Sequence, residues 1–229
     1  MKILALGAHP DDIEIFMYGL VSIYKKEGNE VFTMIATDGA KGGSQTDDLL
    51  IKQRAEEAKA GLKNLSTPTF LNIPDSELGE DPIHQKIIKE NILNIMPDLI
   101  ITHSQHDYHS DHRSLSFLTS SAVSHYIPIL YCDTLMGVNF QPNYYIDITN
   151  HFEMKKEAVL KHNSQNPQRF VDLFKLMNSY RAAQCNLPKG SYAESYCFNP
   201  SFPFADIMDI LPASPKIRPF HIENQNGFL

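Results

Sequence analysis

Two short clusters in this chain consist of side chains that bind metals and move protons: His9-Pro10-Asp11-Asp12 and His109-Ser110-Asp111-His112. Imidazole nitrogens and carboxylate oxygens gathered at one point make a divalent-cation site, and acids left uncommitted beside it serve proton transfer. That is the equipment of metal-assisted hydrolysis. His109 and His112 are three residues apart at a loop–helix junction, so both face the same side. We assign His9, Asp12 and His112 as ligands, because two imidazoles and one carboxylate leave coordination positions open for water and substrate. Asp11 is then available as acid and base, and His109 as an oxyanion stabiliser. Asp111 is the natural partner behind His109, holding its tautomer and favouring its imidazolium. A plainer reading exists for the first cluster, in which Pro10 stiffens a turn and Asp12 caps the helix that follows. His103 and His106 are read as supporting or surface residues, with ligation as the alternative.

The elements that must bring these clusters together are legible in the hydrophobic pattern. Apolar, strand-like runs at Ile3–Gly7, Val31–Thr37, Thr69–Asn72, Leu99–Thr102 and Ile129–Tyr131 alternate with helical stretches at Ile13–Lys26, Leu49–Leu62, Ile83–Met96 and His112–Ser124. Such alternation predicts an α/β fold: a mostly parallel sheet flanked by helices, a Rossmann-like three-layer sandwich. Ligands of open α/β sheets lie beyond the carboxyl ends of the strands. Each cluster follows a strand, so a metal site at those carboxyl ends is expected. A further strand is expected at Tyr144–Ile148, then helices through Lys155–Leu160, capped by Thr149, and Phe170–Tyr180. From about residue 187 prolines and phenylalanines recur, through Pro219 and Phe220, which reads as an irregular arm packed over a single domain spanning 1–229 or against another subunit.

Composition narrows the partners. The 229 residues carry a net charge of −7, which disfavours nucleic acid and anionic membrane surfaces. No apolar run approaches the length of a membrane span, and the N-terminus enters a strand at once, so neither membrane insertion nor a signal peptide is expected and a cytoplasmic protein is. Cys132, Cys185 and Cys197 are too few and too scattered for a disulfide framework or a thiolate zinc site. The Gly39–Ser44 stretch is not a phosphate-binding P-loop, and neither a G-x-S-x-G elbow nor a G-x-G-x-x-G turn is present.

The A-H-P-D-D segment ending at Asp12, with H-x-D-H at 109–112, resembles the PIG-L/LmbE-like family of zinc-dependent N-acetylglucosamine deacetylases. Further ordered segments extend the resemblance over most of the chain: Arg54 with Glu57 and Ala58, Pro97 to His103, Lys155 to Ala158 followed by His162 to Gln165, and Tyr192-Ala193-Glu194. The chain departs from the family at Gly39, which is followed by Ala40 where Gly-Glu is frequent, and past Phe198. The resemblance implies Zn2+ on His9, Asp12 and His112 (with Fe2+ an alternative at the same ligands), Asp11 as general base and later acid, and His109 polarising the amide oxygen with Asp111 behind it. It implies that Arg54 holds a sugar hydroxyl or phosphate, where the sequence alone equally allows a solvated helix arginine. Tyr192 would lend a hydroxyl near the oxyanion. Asp75 in the Pro74-Asp75-Ser76 turn would line the pocket, unless it makes an ordinary Asx turn. The expected substrate is a small amino-sugar conjugate, and the aromatic C-terminal arm makes a homo-oligomer an expectation as well. Two rivals use the same residues: a non-haem Fe(II) oxygenase, whose facial triad is also two His and one carboxylate, and a sugar- or metal-binding module without catalysis. Asp11 and His109 argue against both, since neither needs a base beside an oxyanion donor.

Overall fold

The computed structural model describes residues 1–43 and 48–216. Pro219 and Phe220, part of the expected arm, lie outside the described residues, as does Ser44. Seven strands form one sheet: β1 (Lys2–Gly7), β2 (Glu30–Thr37), β3 (Thr69–Ile73), β4 (Leu99–Thr102), β5 (Ile129–Cys132), β6 (Tyr144–Asp147) and β7 (Ala193–Phe198). Their order is β3-β2-β1-β4-β5-β7-β6, with the first five parallel and β7 antiparallel to both β5 and β6. The helices are α1 (Asp12–Phe16), α2 (Tyr18–Lys26), α3 (Asp48–Leu62), α4 (Pro82–Ile95), α5 (Ser110–Val123), α6 (Phe152–Val159) and α7 (Pro167–Gln184).

Successive side chains of a strand point to opposite faces, so a strand covered on both faces must be apolar throughout. In β1, Ile3 and Ala5 enter one hydrophobic cluster while Leu4 and Leu6 enter the other. Leu99 and Ile101 of β4 go with the first cluster and Ile100 with the second. The first is closed by α1, α2, α3, α6 and α7 through Phe16, Leu20, Leu62, Phe152 and Phe174. The second is closed by α4 and α5 through Ile88, Ile92, Leu115 and Ala122. Three layers result, as expected. Strand order reverses between β1 and β4, and the crevice at their carboxyl ends is where such sheets bind ligands.

Three local features depart from the expectations. The single helix expected at Ile13–Lys26 breaks at Met17 (φ −137°, ψ 3°). At the start of α2, Gly19 and Leu20 donate their backbone N–H groups to the Glu194 carboxylate at 2.9 and 2.8 Å. A buried anion thus takes donors that a helix N-terminus leaves open. Thr149 does not cap a helix by its side chain; its hydroxyl donates to Asp147 Oδ1 at 2.6 Å. The segment after 187 is not wholly irregular, because it contains β7, which sits inside the sheet. Beyond β7 the chain returns over its own domain, where Ile207 is buried and Tyr24 donates to the Ile210 carbonyl at 2.8 Å.

Candidate metal and catalytic centre

The turn after β1 builds the first half of the site. His9 N–H donates to Asp12 Oδ2 at 2.7 Å, and Asp12 N–H returns to the His9 carbonyl at 3.3 Å. This closed turn leaves Asp11 between them at φ 145° and ψ −21°, a strained backbone for a residue with a Cβ. Strain of this kind, about 1–3 kcal/mol, persists only where surrounding contacts over-determine it. Asp12 makes no side-chain cap, so its carboxylate remains in the crevice.

The second half comes from β4, the loop after it and the first turn of α5. His109 is the N-cap of α5, its Nδ1 accepting the Asp111 N–H at 3.3 Å, which explains why the helix begins two residues before the expected His112. His103, His109 and His112 meet the β1 turn. Asp12 Oδ1 lies 3.3 Å from His112 Nε2, and Asp12 Oδ2 lies 3.3 Å from His9 Nδ1 and 3.0 Å from His103 Nε2. The opposite ring nitrogens face carboxylates: His9 Nε2 is 3.2 Å from Asp111 Oδ2 and 3.5 Å from Asp75 Oδ1, and His112 Nδ1 is 3.2 Å from Asp107 Oδ2.

This arrangement fits a divalent cation. Asp11, Asp12, Asp75, Asp107 and Asp111 are all nearly inaccessible, and Arg54 is the one arginine among them. Burying that much negative charge is costly unless positive charge joins it. Protons supply part of it: against burial, Asp12 and Asp107 raise His112 to about 9, and Asp12 with Asp111 raises His9 well above its ordinary value. A metal ion is the alternative source. His9 and His112 each present one nitrogen toward Asp12 while a carboxylate lies close to the other, the outer-shell pattern of metal-bound imidazole. Groups of donor atoms close enough to share an ion include His9 with His109 and His112, and Asp12 with His103 and His112.

Asp11 stands apart from these donor groups. Its Oδ2 lies 3.3 Å from Arg54 Nη2. Burial, opposed by Arg54 and reinforced by Asp12, pushes its carboxyl up to about 6, suited to taking and returning a proton near neutrality. Arg54 is buried and not a solvated helix arginine. It donates to the Gly39 carbonyl at 2.7 Å and the Pro10 carbonyl at 3.1 Å. Burial, with His9 and His112 adding to it, holds His109 below its usual value, so its imidazole is neutral. Because Nδ1 accepts from Asp111 N–H, the ring proton sits on Nε2.

The expected residues meet in one pocket of about 200 Å³, lined by His9, Asp11, Asp12, Arg54, Asp75, His109 and His112. Two expectations change, for Asp111 and Tyr192. The Asp111 carboxylate does not stand behind His109; it accepts from Ser76 N–H at 2.9 Å and holds His9. Tyr192 does not line the pocket: its ring stacks on Phe152 at 3.5 Å, inside the hydrophobic layer. His103, read as supporting or surface, is fully buried and stacks on His112 at 3.7 Å, whereas His106 is exposed. Asp107 was missed, although an acid two residues before a candidate histidine was the available signal. Asp75 is not merely a turn residue. Its Oδ2 accepts from Lys41 N–H at 2.9 Å, and despite burial His9 and this donor keep it well below the carboxylate range.

A mostly parallel α/β sheet that gathers buried imidazoles and carboxylates where its strand order reverses defines a class, the α/β proteins with a metal-type centre at the switch point. Residues 4–123 match the PIG-L family, described as GlcNAc-PI de-N-acetylase, and the chain belongs to that family. A diacetylchitobiose deacetylase of Thermococcus kodakarensis is 29% identical over 244 residues, covering 90% of this chain and 88% of the relative. Among solved structures, the N,N'-diacetylchitobiose deacetylase of Pyrococcus horikoshii superposes with a TM-score of 0.75 at 22% identity, over 86% of this chain and 83% of the other. The 4-carboxy-2-hydroxymuconate hydratase of Pseudomonas putida does so with 0.75 at 18%, over 86% and 95%. No helix among the described residues is long and apolar enough to cross a membrane.

Proposed function

We propose that this protein is a metal-dependent hydrolase that removes the acetyl group from an N-acetylglucosamine-type conjugate, giving acetate and a free amino sugar. The fold alone does not carry this reading, since the same sheet serves a hydratase in Pseudomonas putida. The observation that carries it is Asp11: a buried carboxyl raised to about 6, beside but outside the donor groups that join His9 to His109 and His112 and Asp12 to His103 and His112. The family and the diacetylchitobiose deacetylase relative support the substrate class.

His9, Asp12 and His112 would hold the ion, zinc in the first instance and Fe2+ at the same ligands as the alternative. Such an ion lowers the pKa of water and polarises a carbonyl. Asp11 takes the proton of the attacking water as it adds to the amide carbon. His109 donates its Nε2 hydrogen to the oxygen on which charge develops, a contribution typically of about 3 kcal/mol. The nitrogen of an amide leaves poorly until protonated, so Asp11 returns its proton there as the C–N bond breaks. Arg54 keeps Asp11 in position, and Asp75 offers an acceptor to a sugar hydroxyl. The oxygenase and binding-module readings give Asp11 and His109 no task.

The test is amine release from N-acetylglucosamine and N,N'-diacetylchitobiose by metal-stripped protein reloaded with zinc, assayed with and without oxygen. Asp11→Asn should keep its zinc and lose about 10²–10⁴-fold in rate. Full activity in that variant removes Asp11 from the chemistry. His112→Ala should lose the zinc itself, and an unchanged metal content refutes the ligand set. Activity that depends on oxygen supports the oxygenase instead.

A further inference from the structure

The turn between α6 and α7 carries His162-Asn163-Ser164-Gln165, a segment to which the chemistry above gives no task. It is held from two sides. His162 has no exposed surface; its Nε2 lies 2.8 Å from Glu14 Oε1 of α1, and its carbonyl accepts the Gln165 N–H at 2.9 Å. From α3, the Glu57 carboxylate accepts the Ser164 N–H at 2.9 Å and the Ser164 hydroxyl at 2.6 Å. So anchored, Gln165 is nearly inaccessible and lines the pocket that holds His9, Asp11 and His112.

The bonding of Ser164 decides which end of the Gln165 amide faces that pocket. A hydroxyl has one hydrogen to give. That of Ser164 goes to Glu57, whose carboxylate also accepts the Gln53 Nε2–H at 3.0 Å. The Ser164 oxygen can then only accept, and it does so from Gln165 Nε2 at 3.0 Å. The amide oxygen of Gln165 is thereby turned toward Gly42, where a Cβ would stand 3.2 Å from it. Gly42 lines the same pocket, and no donor among the described residues meets this oxygen. Arg54 relates it to the reacting groups: Nη2 meets Asp11 at 3.3 Å, while Nη1 is the atom that a Cβ on Gly42 would meet first.

We propose that Gln165 Oε1 is the acceptor that selects one hydroxyl on the sugar ring bearing the amide, and that Glu57 and Ser164 are positioning residues that lock its direction. This rests on the deacetylase reading above and adds the group that reads the ring. An amide oxygen locked in this direction receives a hydrogen and never gives one. A free hydroxyl satisfies it, whereas a phosphate, sulfate or carboxylate at that ring position sets acceptor against acceptor. The fixed direction also means that little ordering is left to do when the sugar enters. A site built to bond a hydroxyl rejects the analogue without it, because its own polar group is then left unpaired.

Calorimetric titration of N-acetylglucosamine and its 3-, 4- and 6-deoxyfluoro analogues tests this, on zinc-loaded protein in which Asp11→Asn suppresses turnover. Fluorine keeps roughly the size of a hydroxyl and has no hydrogen to donate. At the position that Gln165 reads, the analogue should bind about tenfold more weakly than the parent sugar. Adding Gln165→Met should weaken the parent by that factor and leave this analogue unchanged, with zinc content intact; a loss carried by Asp75 at another position should persist. Adding Ser164→Ala frees the amide to turn and should shrink the same difference while sugar still binds. Equal affinity for all four sugars before these additions overturns the proposal. So does a Gln165→Met protein that weakens all four alike, which is what a merely structural role produces, or a Ser164→Ala protein with undiminished discrimination. Acetate release with Asp11 intact separates the two readings: hydroxyl selection through Gln165 without release sinks the deacetylase and keeps the acceptor, and release without selection does the reverse.

Discussion

Asp107 shows what a single residue decides in this site. Its carboxylate lies 3.2 Å from His112 Nδ1, so it orients a metal-type histidine from behind. Removing such a partner typically lowers metal affinity 10–100-fold. Asp107→Asn should therefore bind zinc that much more weakly in competition with a chelator, and an unchanged affinity would show that His112 is oriented by something else. That His9, Asp12 and His112 come together was legible in the sequence, because each follows the end of a strand. The partner of each imidazole was not. Asp111 was expected behind His109, yet His109 uses its Nδ1 on the helix N-terminus, and the Asp111 carboxylate turns to His9 and Ser76. Side-chain direction in the first turn of α5 depends on how the preceding loop enters, which local pattern does not encode.

At the scale of elements, the loop that follows β2 makes a demand on two glycines. A Cβ on Gly42 would stand 2.0 Å from Arg54 Nη1, and one on Gly39 would stand 2.7 Å from the same atom. The loop approaches the guanidinium this closely only without side chains there. Gly42→Ala should push Arg54 off the Pro10 carbonyl and Asp11, lowering kcat by about tenfold or more through misplacement of Asp11. Thermal stability should change little, since the position is not in the core; a wild-type kcat would show that Arg54 does not position the base. Element boundaries show where periodicity suffices. The strands expected in the first 132 residues appear within one residue, because buried parallel strands are apolar throughout and proline or glycine brackets them. The break at Met17 escaped, since the carboxylate that takes the α2 N-terminus comes from Glu194, far away in sequence. β7 escaped because aromatic and proline residues around it resemble an irregular segment, and its pairing with β5 and β6 is entirely long-range.

For the whole molecule, the Glu194 carboxylate joins β7 to two helices far apart in the chain, α2 and α6. It accepts from Gly19 and Leu20 of α2, from Tyr196 at 2.7 Å, and from Lys155 of α6 at 2.7 Å, with Lys155 and Glu194 almost wholly buried. Removing one partner of a buried ion pair leaves the other charge uncompensated, at a cost of about 3–5 kcal/mol. Lys155→Met should lose that much in urea unfolding, and a loss below about 1 kcal/mol would mean that the backbone donors alone satisfy Glu194. The position of β7 also has a consequence for how the chain is made. During synthesis β5 and β6 emerge before β7, and neither can pair with the other, because β7 belongs between them. Until α6, α7 and β7 have left the ribosome, the nascent sheet therefore ends at β5 with an unpaired apolar edge, the kind of surface that recruits other strands. The donors of the metal-type centre, which precede β7 in the chain, wait on that strand for their protection. A ribosome stalled before Phe198 would thus release a chain with its chemistry encoded and its sheet still open.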